Sequence, residues 1–178
     1  MSKSLRLAAA AAVAFGCFAL GAGSAAAQDS CPVTTPEENM DIVVAYEEAF
    51  DEAHFENMDL HLHDDHVENG NRFTLEHEVG HNEDEHQVAV MLETLYPGSV
   101  QHIDEIFAFD DKVVIVTRLE VSQHTLTPDG QPAMLETPAE MMGVALFTIE
   151  CGQIIHAHVS TDLFGLMTQL GFELAPAM

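Results

Sequence analysis

The second half of the chain consists of four long segments in which apolar and polar residues alternate. The segments cover residues 100–109, 112–125, 137–150 and 153–161. Alternation with many β-branched residues is typical of strands, and the short breaks at Asp110-Asp111 and Cys151-Gly152 are typical of hairpin turns. This half therefore predicts an antiparallel meander, which has to pack one of its faces on other apolar elements.

The first half supplies helices for that packing. Thr35 precedes Pro36, Glu37 and Glu38, and a capping hydroxyl, an early proline and acids near the positive end of the dipole favour a helix start. This helix is predicted to reach about His54. Further helices are predicted over residues 57–65, 83–95 and 162–170. The fold class is therefore α+β, with a curved sheet over N-terminal helices and a ligand cavity between them.

Residues 1–27 have the pattern of an export signal. Lys3 and Arg6 precede an apolar run that ends in small residues before Gln28. We therefore expect an exported protein, periplasmic or secreted, with a lipid anchor through Cys17 as the alternative. The roughly 150 residues that follow suit a single domain over 28–178, with its core at about 36–172.

The charge of the chain excludes some partners. It has 30 acidic residues and 5 Lys and Arg, of which Lys3 and Arg6 lie in the signal. Such an acidic protein repels phosphate backbones, so we expect no nucleic-acid partner. After the signal, no apolar run is long enough to span a bilayer, so we expect no membrane insertion.

Cys31 and Cys151 are the two cysteines after the signal. In an oxidising compartment they can form one disulfide between the N-terminal segment and a hairpin turn, with a pair of free thiols as the alternative. Two cysteines are too few for a four-cysteine zinc site.

The segment His77-Glu-Val-Gly-His81 matches the zinc motif H-E-x-x-H. In that motif, His77 and His81 bind the metal and Glu78 acts as general base, which requires a helix. Residues 72–76 alternate like a strand and Gly80 lies inside the motif, so the helical context is poor. We expect no cofactor and keep a zinc hydrolase as an alternative. The nearby histidines are interpreted as a solvated segment, with weak Zn or Cu binding as the alternative.

The last predicted strand carries two histidines and leads to an aspartate. Strand parity predicts that Ile154, His156, His158 and Ser160 share one face, leading to Asp162 where the final helix begins. Asp162 has two interpretations: it caps the helix, or it is a pocket acid/base whose proton relay includes His158 or His156.

The C-terminal region resembles the SnoaL-like polyketide cyclase and ester cyclase family of the nuclear transport factor 2-like superfamily. The resemblance rests on Gly152-Gln153-Ile154, Asp162 and the segment Gly165-Leu-Met-Thr-Gln-Leu-Gly171, at the family's spacing. Residues 65–69, 111–114 and 122–125 match more weakly. His156 and His158 stand where the family often has glutamate and tryptophan, and the chain has no tryptophan.

The resemblance implies a cone-shaped SnoaL-like fold and cofactor-free acid/base ring closure, with Asp162 as the catalytic group and Asn69 holding a substrate carbonyl. His124 and Tyr46 are further candidate substrate-binding residues. The leading hypothesis is a cyclase or isomerase acting on a small apolar carbonyl compound. The alternative is a non-catalytic module that binds a small molecule or forms a homodimer through the exposed face of its sheet.

Overall fold

The computed structural model describes residues 31–70, 77–80 and 82–173, and for 77–80 and 82–84 it describes the backbone only. The export signal, Arg72 and His81 lie outside the described residues. The elements are, in chain order, α1 (Pro36–Asp51), α2 (Phe55–His61), β1 (Leu62–Gly70), β2 (His77–Gly80), α3 (Asn82–Leu95), β3 (Val100–Phe109), β4 (Lys112–His124), β5 (Ala133–Glu150), β6 (Gln153–Thr161) and α4 (Leu163–Gln169).

The six strands form one sheet in the order β2-β1-β6-β5-β4-β3. Strands β3 to β6 make the predicted antiparallel meander. Strand β1, however, pairs parallel to β6, and β2 pairs antiparallel to β1. The sheet is therefore mixed, and α2 ends at His61 rather than near Asp65 because β1 begins at Leu62. The α+β class is confirmed.

The start of α1 is confirmed in detail. The Thr35 hydroxyl accepts a hydrogen bond from the Glu38 N–H at 3.2 Å, and the Glu38 carboxylate accepts one from the Thr35 N–H at 2.8 Å. This reciprocal pair satisfies two backbone donors that a helix start otherwise leaves open. Farther along α1, Val43, Tyr46 and Phe50 are almost fully buried against the sheet. Each such side chain stabilises the fold by about 1.5–3 kcal/mol.

Strand β6 contains a bulge near its start, and after the bulge the other set of alternating side chains faces inward. Thr148 pairs with His156 and Ile149 pairs with Ile154, so Ile155 is an extra residue on β6. Such a bulge reverses the parity of the side chains that follow it. Ile154 is buried while His158 and Ser160 are exposed. Ile154 is therefore separated from the other predicted residues, whereas His156, His158 and Ser160 do share one face, which is the outer face of the sheet.

Cys31 and Cys151 form a disulfide with a Cα–Cα distance of 4.7 Å. Cys151 and Gly152 are the two loop residues of the β5–β6 hairpin, and both have positive φ, at 55° and 76°. This is the backbone of a tight two-residue turn, where glycine is favoured. Of the two thiol states considered, the bridge is confirmed.

The helices of the described residues are all too short or too polar to cross a membrane.

Candidate functional site

Glu47 is a carboxylate on the inward stripe of α1. It lies one turn from Val43 and one turn from Phe50, and only 4% of its surface is exposed. Burying a carboxylate is costly unless it is hydrogen-bonded, so a charged residue on this stripe needs a specific environment.

Gln101, near the start of β3, connects two carboxylates of α1. Its side-chain amide donates to the Glu47 carboxylate, and its backbone N–H donates to Asp51 Oδ1 at 3.2 Å. Glu47 and Asp51 are four residues apart on the helix, so both project towards β3. Burial raises the pKa of Asp51, and the hydrogen bond from Gln101 opposes that rise.

A groove of about 570 Å³ lies between α1 and the start of β3. Its volume falls in the range of small-molecule sites. The lining includes Glu47, Glu48, Asp51, Asp104 and Arg118. Arg118 donates to Asp104 at 3.3 and 3.4 Å and to Glu140 at 3.4 Å. The hydrogen bonds to Asp104 are the main cause that raises the pKa of Arg118 above its ordinary value. Arg118 therefore remains a cation that is paired with two carboxylates.

Behind Glu47 and Gln101 the inner face of the sheet encloses a much smaller chamber of about 20 Å³. Its lining is mixed: Ile115, Leu119, Met141, Ala145 and Val159 contribute apolar surface, while Glu47, Gln101, Thr117 and Thr161 contribute a comparable polar surface. Because Glu47 and Gln101 line both the groove and the chamber, the carboxylate lies where the two spaces meet. A carboxylate in such a place can take a proton from a bound group and return it.

A second buried polar cluster joins α1, β1 and α3. Tyr46 donates its hydroxyl to Glu85 Oε2 at 3.2 Å, and His66 Nε2 lies 3.0 Å from Glu85 Oε1. His66 Nδ1 lies 3.1 Å from the Ile154 carbonyl oxygen, which can only accept, so Nδ1 carries a proton. These contacts link Glu85 of α3 to α1 and to β1.

Asp162 occupies the cap position of α4. Its Oδ1 accepts from the Gly165 N–H at 2.8 Å, and the side chain is exposed. The predicted delivery of this carboxylate into an enclosed cavity is therefore wrong, and the capping interpretation is confirmed. A relay to His158 is also ruled out, because four residues of extended chain span about 13 Å.

Asn69, His156 and His158 do come together, but on the outer face of the sheet. The parallel register places Val67 beside His156 and Asn69 beside His158. The Asn69 amide donates to His156 Nε2 at 2.9 Å, and His158 Nδ1 donates to Asn69 Oδ1. Burial lowers the pKa of His156, and the nearby His158 lowers it further. These residues face away from the groove and chamber.

The other two candidates also lie outside the groove and chamber. Tyr46 is 1% exposed and belongs to the core cluster with Glu85. His124 is 7% exposed near the end of β4, where its Nδ1 accepts from the Leu126 N–H at 3.2 Å. It is seven strand residues from Thr117, or about 23 Å.

The zinc motif does not adopt the geometry it requires. His77–Gly80 forms β2, paired with β1, so His77 and Glu78 are in extended backbone rather than in a helix. Within the described side chains, no three His, Cys, Asp or Glu residues are grouped as a metal would need.

Comparison with solved structures identifies the fold. A candidate SnoaL-like polyketide cyclase from Jannaschia sp. CCS1 is similar at 20% identity and a TM-score of 0.63, covering 83% of this chain and 99% of its own. AclR, a candidate hydroxylase from Streptomyces galilaeus, is similar at 16% identity and a TM-score of 0.64, covering 80% of this chain and 91% of its own. A protein with a ketosteroid isomerase-like fold from Catenulispora acidiphila DSM 44928 is similar at 16% identity and a TM-score of 0.62, covering 80% of this chain and 100% of its own.

This chain has the SnoaL-like fold. The resemblance seen in the sequence is thereby confirmed at the level of architecture. No family model and no curated protein matches the sequence. Since proteins with different chemistries share this fold, its function has to be argued from the site.

Sequence reasoning missed Glu47 and Gln101. A signal for Glu47 was present, because position 47 lies on the same helical stripe as Val43 and Phe50. A carboxylate on the apolar stripe of an amphipathic helix is a candidate site residue. Gln101 gives no comparable signal, since a polar residue near a strand end is common.

Proposed function

We propose that this protein is an exported acid/base catalyst with the SnoaL-like fold, acting as an isomerase or cyclase on a small apolar carbonyl compound. The observation that carries the proposal is the almost fully buried Glu47 carboxylate at the junction of groove and chamber. In the proposed step, Glu47 takes a proton from the carbon beside the carbonyl, and the electron pair moves to the carbonyl oxygen. For isomerisation, Glu47 then returns the proton to another carbon. For ring closure, the carbon attacks a second carbonyl and Glu47 protonates the new alkoxide.

The surrounding residues have matching roles. Gln101 holds the Glu47 carboxylate in place through its amide, and Thr117 offers a hydroxyl to the substrate oxygen. Ile115, Leu119, Met141, Ala145 and Val159 supply apolar contacts for the carbon skeleton of the substrate. Export is supported by the signal pattern of residues 1–27 and by the Cys31–Cys151 bridge, which persists in oxidising compartments.

The test uses 5-nitrobenzisoxazole, whose ring opens when a desolvated carboxylate removes its proton. Glu47→Gln is expected to lower kcat/KM by about 100-fold or more, whereas Glu37→Gln, at an exposed position of the same helix that lines neither the groove nor the chamber, leaves it within about two-fold. Circular dichroism and Tm verify that both variants are folded. Wild-type turnover no faster than that of free acetate, or an unchanged Glu47→Gln variant, would contradict the proposal.

The outer face of the sheet favours a second candidate, a non-catalytic module that pairs with a second copy of this chain. Phe107, Phe109, Met142, Val144 and Leu146 are exposed there, at 36–55%. Two copies with a net charge of −25 repel each other, so the apolar patch that these five residues form is the surface on which they can associate. Light scattering is expected to give a dimer for the wild type and a monomer for Val144→Asp. A monomeric wild type would reject this candidate.

A further inference from the structure

Two histidines of β6 converge on one side chain of β1, on the outer face of the sheet. His156 and His158 are two residues apart in extended backbone, so their Cα atoms lie about 7 Å apart and both rings project from the same face. The Asn69 amide lies between the rings. Its nitrogen donates to His156 Nε2 at 2.9 Å, and its oxygen accepts from His158 Nδ1. One ring nitrogen of each histidine is therefore directed at the same small amide group.

The surroundings of the two rings favour a bound cation. The register partners of the histidines on β5 are Leu146 and Thr148, which carry no charge. Lys112 lies one strand further, about 10 Å away across the sheet. Its Nζ is 2.9 Å from Asp111 Oδ2, so this carboxylate offsets its charge. The chain as a whole has a net charge of −25, which attracts cations to its surface.

The chemistry of two neighbouring imidazoles selects a class of metal. Zn²⁺, Ni²⁺ and Cu²⁺ bind neutral imidazole, and Cu²⁺ binds it most tightly of the three. Burial lowers the pKa of His156, which keeps its ring neutral and able to bind a metal at pH 7. Within the described side chains, no third His, Cys, Asp or Glu joins the pair as a closed site would require. Water therefore has to complete the coordination, as it does in open metal sites.

We propose that His156 Nε2 and His158 Nδ1 form an open binding site for a divalent transition metal, with Cu²⁺ bound most tightly, and that the Asn69 amide competes with the metal for both ring nitrogens. Binding replaces two hydrogen bonds with two metal–nitrogen bonds. The Asn69 side chain turns away, and the ring proton of His158 moves from Nδ1 to Nε2. The site lies on the opposite face of the sheet from the groove and chamber, so it is independent of the proposed function.

Titration of the untagged, exported protein with CuCl₂, followed by NMR, tests the site because paramagnetic Cu²⁺ broadens the signals of nearby nuclei. The ring signals of His156 and His158 are expected to broaden together below one equivalent. His158→Gln is expected to weaken Cu²⁺ binding at His156 by about 100-fold. His54→Gln, at an exposed histidine beside Glu52, is the matched control and leaves that affinity within about two-fold. Asn69→Ala is expected to tighten binding about five-fold, because it removes the two competing hydrogen bonds.

Each alternative outcome overturns the proposal. Broadening confined to histidines within residues 54–86 would show that Cu²⁺ binds elsewhere. A His158→Gln variant that binds Cu²⁺ at His156 like the wild type would show that the two rings do not act together. Weaker binding by Asn69→Ala would make the amide a ligand and not a competitor. Circular dichroism verifies that the variants are folded, and should His158→Gln not fold, His156→Gln followed at the ring of His158 decides the matter.

Discussion

Replacing Cys31 and Cys151 by serine is expected to lower the free energy of unfolding by up to about 5 kcal/mol. The bridge joins residues 120 positions apart, so it closes nearly the whole described chain into one loop. In the chain-entropy treatment, a loop of that length costs the unfolded state about 16 cal/mol/K, or about 4.9 kcal/mol at 25 °C. This is a large share of the 5–15 kcal/mol of total stability that is typical of a domain.

Urea unfolding followed by circular dichroism measures the loss, and the wild type treated with a reductant is the matched comparison. Thiol titration of the oxidised, unfolded protein is expected to find no free thiol after the signal is removed. A loss below about 1 kcal/mol would refute the reasoning, because it would mean that the bridge restricts the unfolded chain little. Free thiols in the exported protein would refute the bridge itself, and with it one support for export.

Two pH-dependent effects follow from the site and its surroundings. Burial holds the pKa of His156 below 6.5 in the folded protein. The stability that His156 contributes is therefore complete above pH 6.5 and is lost as the pH falls through the pKa of the folded state. Asn69→Ala removes the donor to Nε2, and an NMR titration is expected to show the His156 pKa rising towards 6.5. Burial raises the pKa of Asp51 above 3.8 in the folded protein. Stability is therefore lost as the pH rises through the pKa of the folded state, where the half-buried side chain becomes charged. Asp51→Asn is expected to raise Tm at pH 7 and leave it unchanged at pH 3, and a lower Tm at pH 7 would contradict this.

The elements predicted well are those whose signals are local. The capping box at Thr35 and Glu38 and the turn at Cys151-Gly152 each depend on a few consecutive residues. The alternation of β3 to β6 likewise specifies strands joined by short turns, and the structure has strands at nearly the predicted bounds. These features were predictable because the interactions that produce them lie within a few residues.

The site was not predictable in the same way. The bulge at Ile155 turns His156 and His158 to the outer face, and no pattern in the sequence marks that extra residue. Asp162 has the same local signal whether it caps a helix or enters a pocket, and its exposed position selects the cap. The pairing of Glu47 with Gln101 joins residues 54 positions apart.

The sequence by itself determined the α+β class, the start of α1 and the hairpin strands, because short-range hydrogen bonds and side-chain periodicity decide these features. Only the tertiary structure decided which carboxylate is buried beside a cavity. That choice depends on how α1 lies across β3 and β4, where Glu47, Gln101, Thr117 and Gly143 meet through contacts between distant parts of the chain.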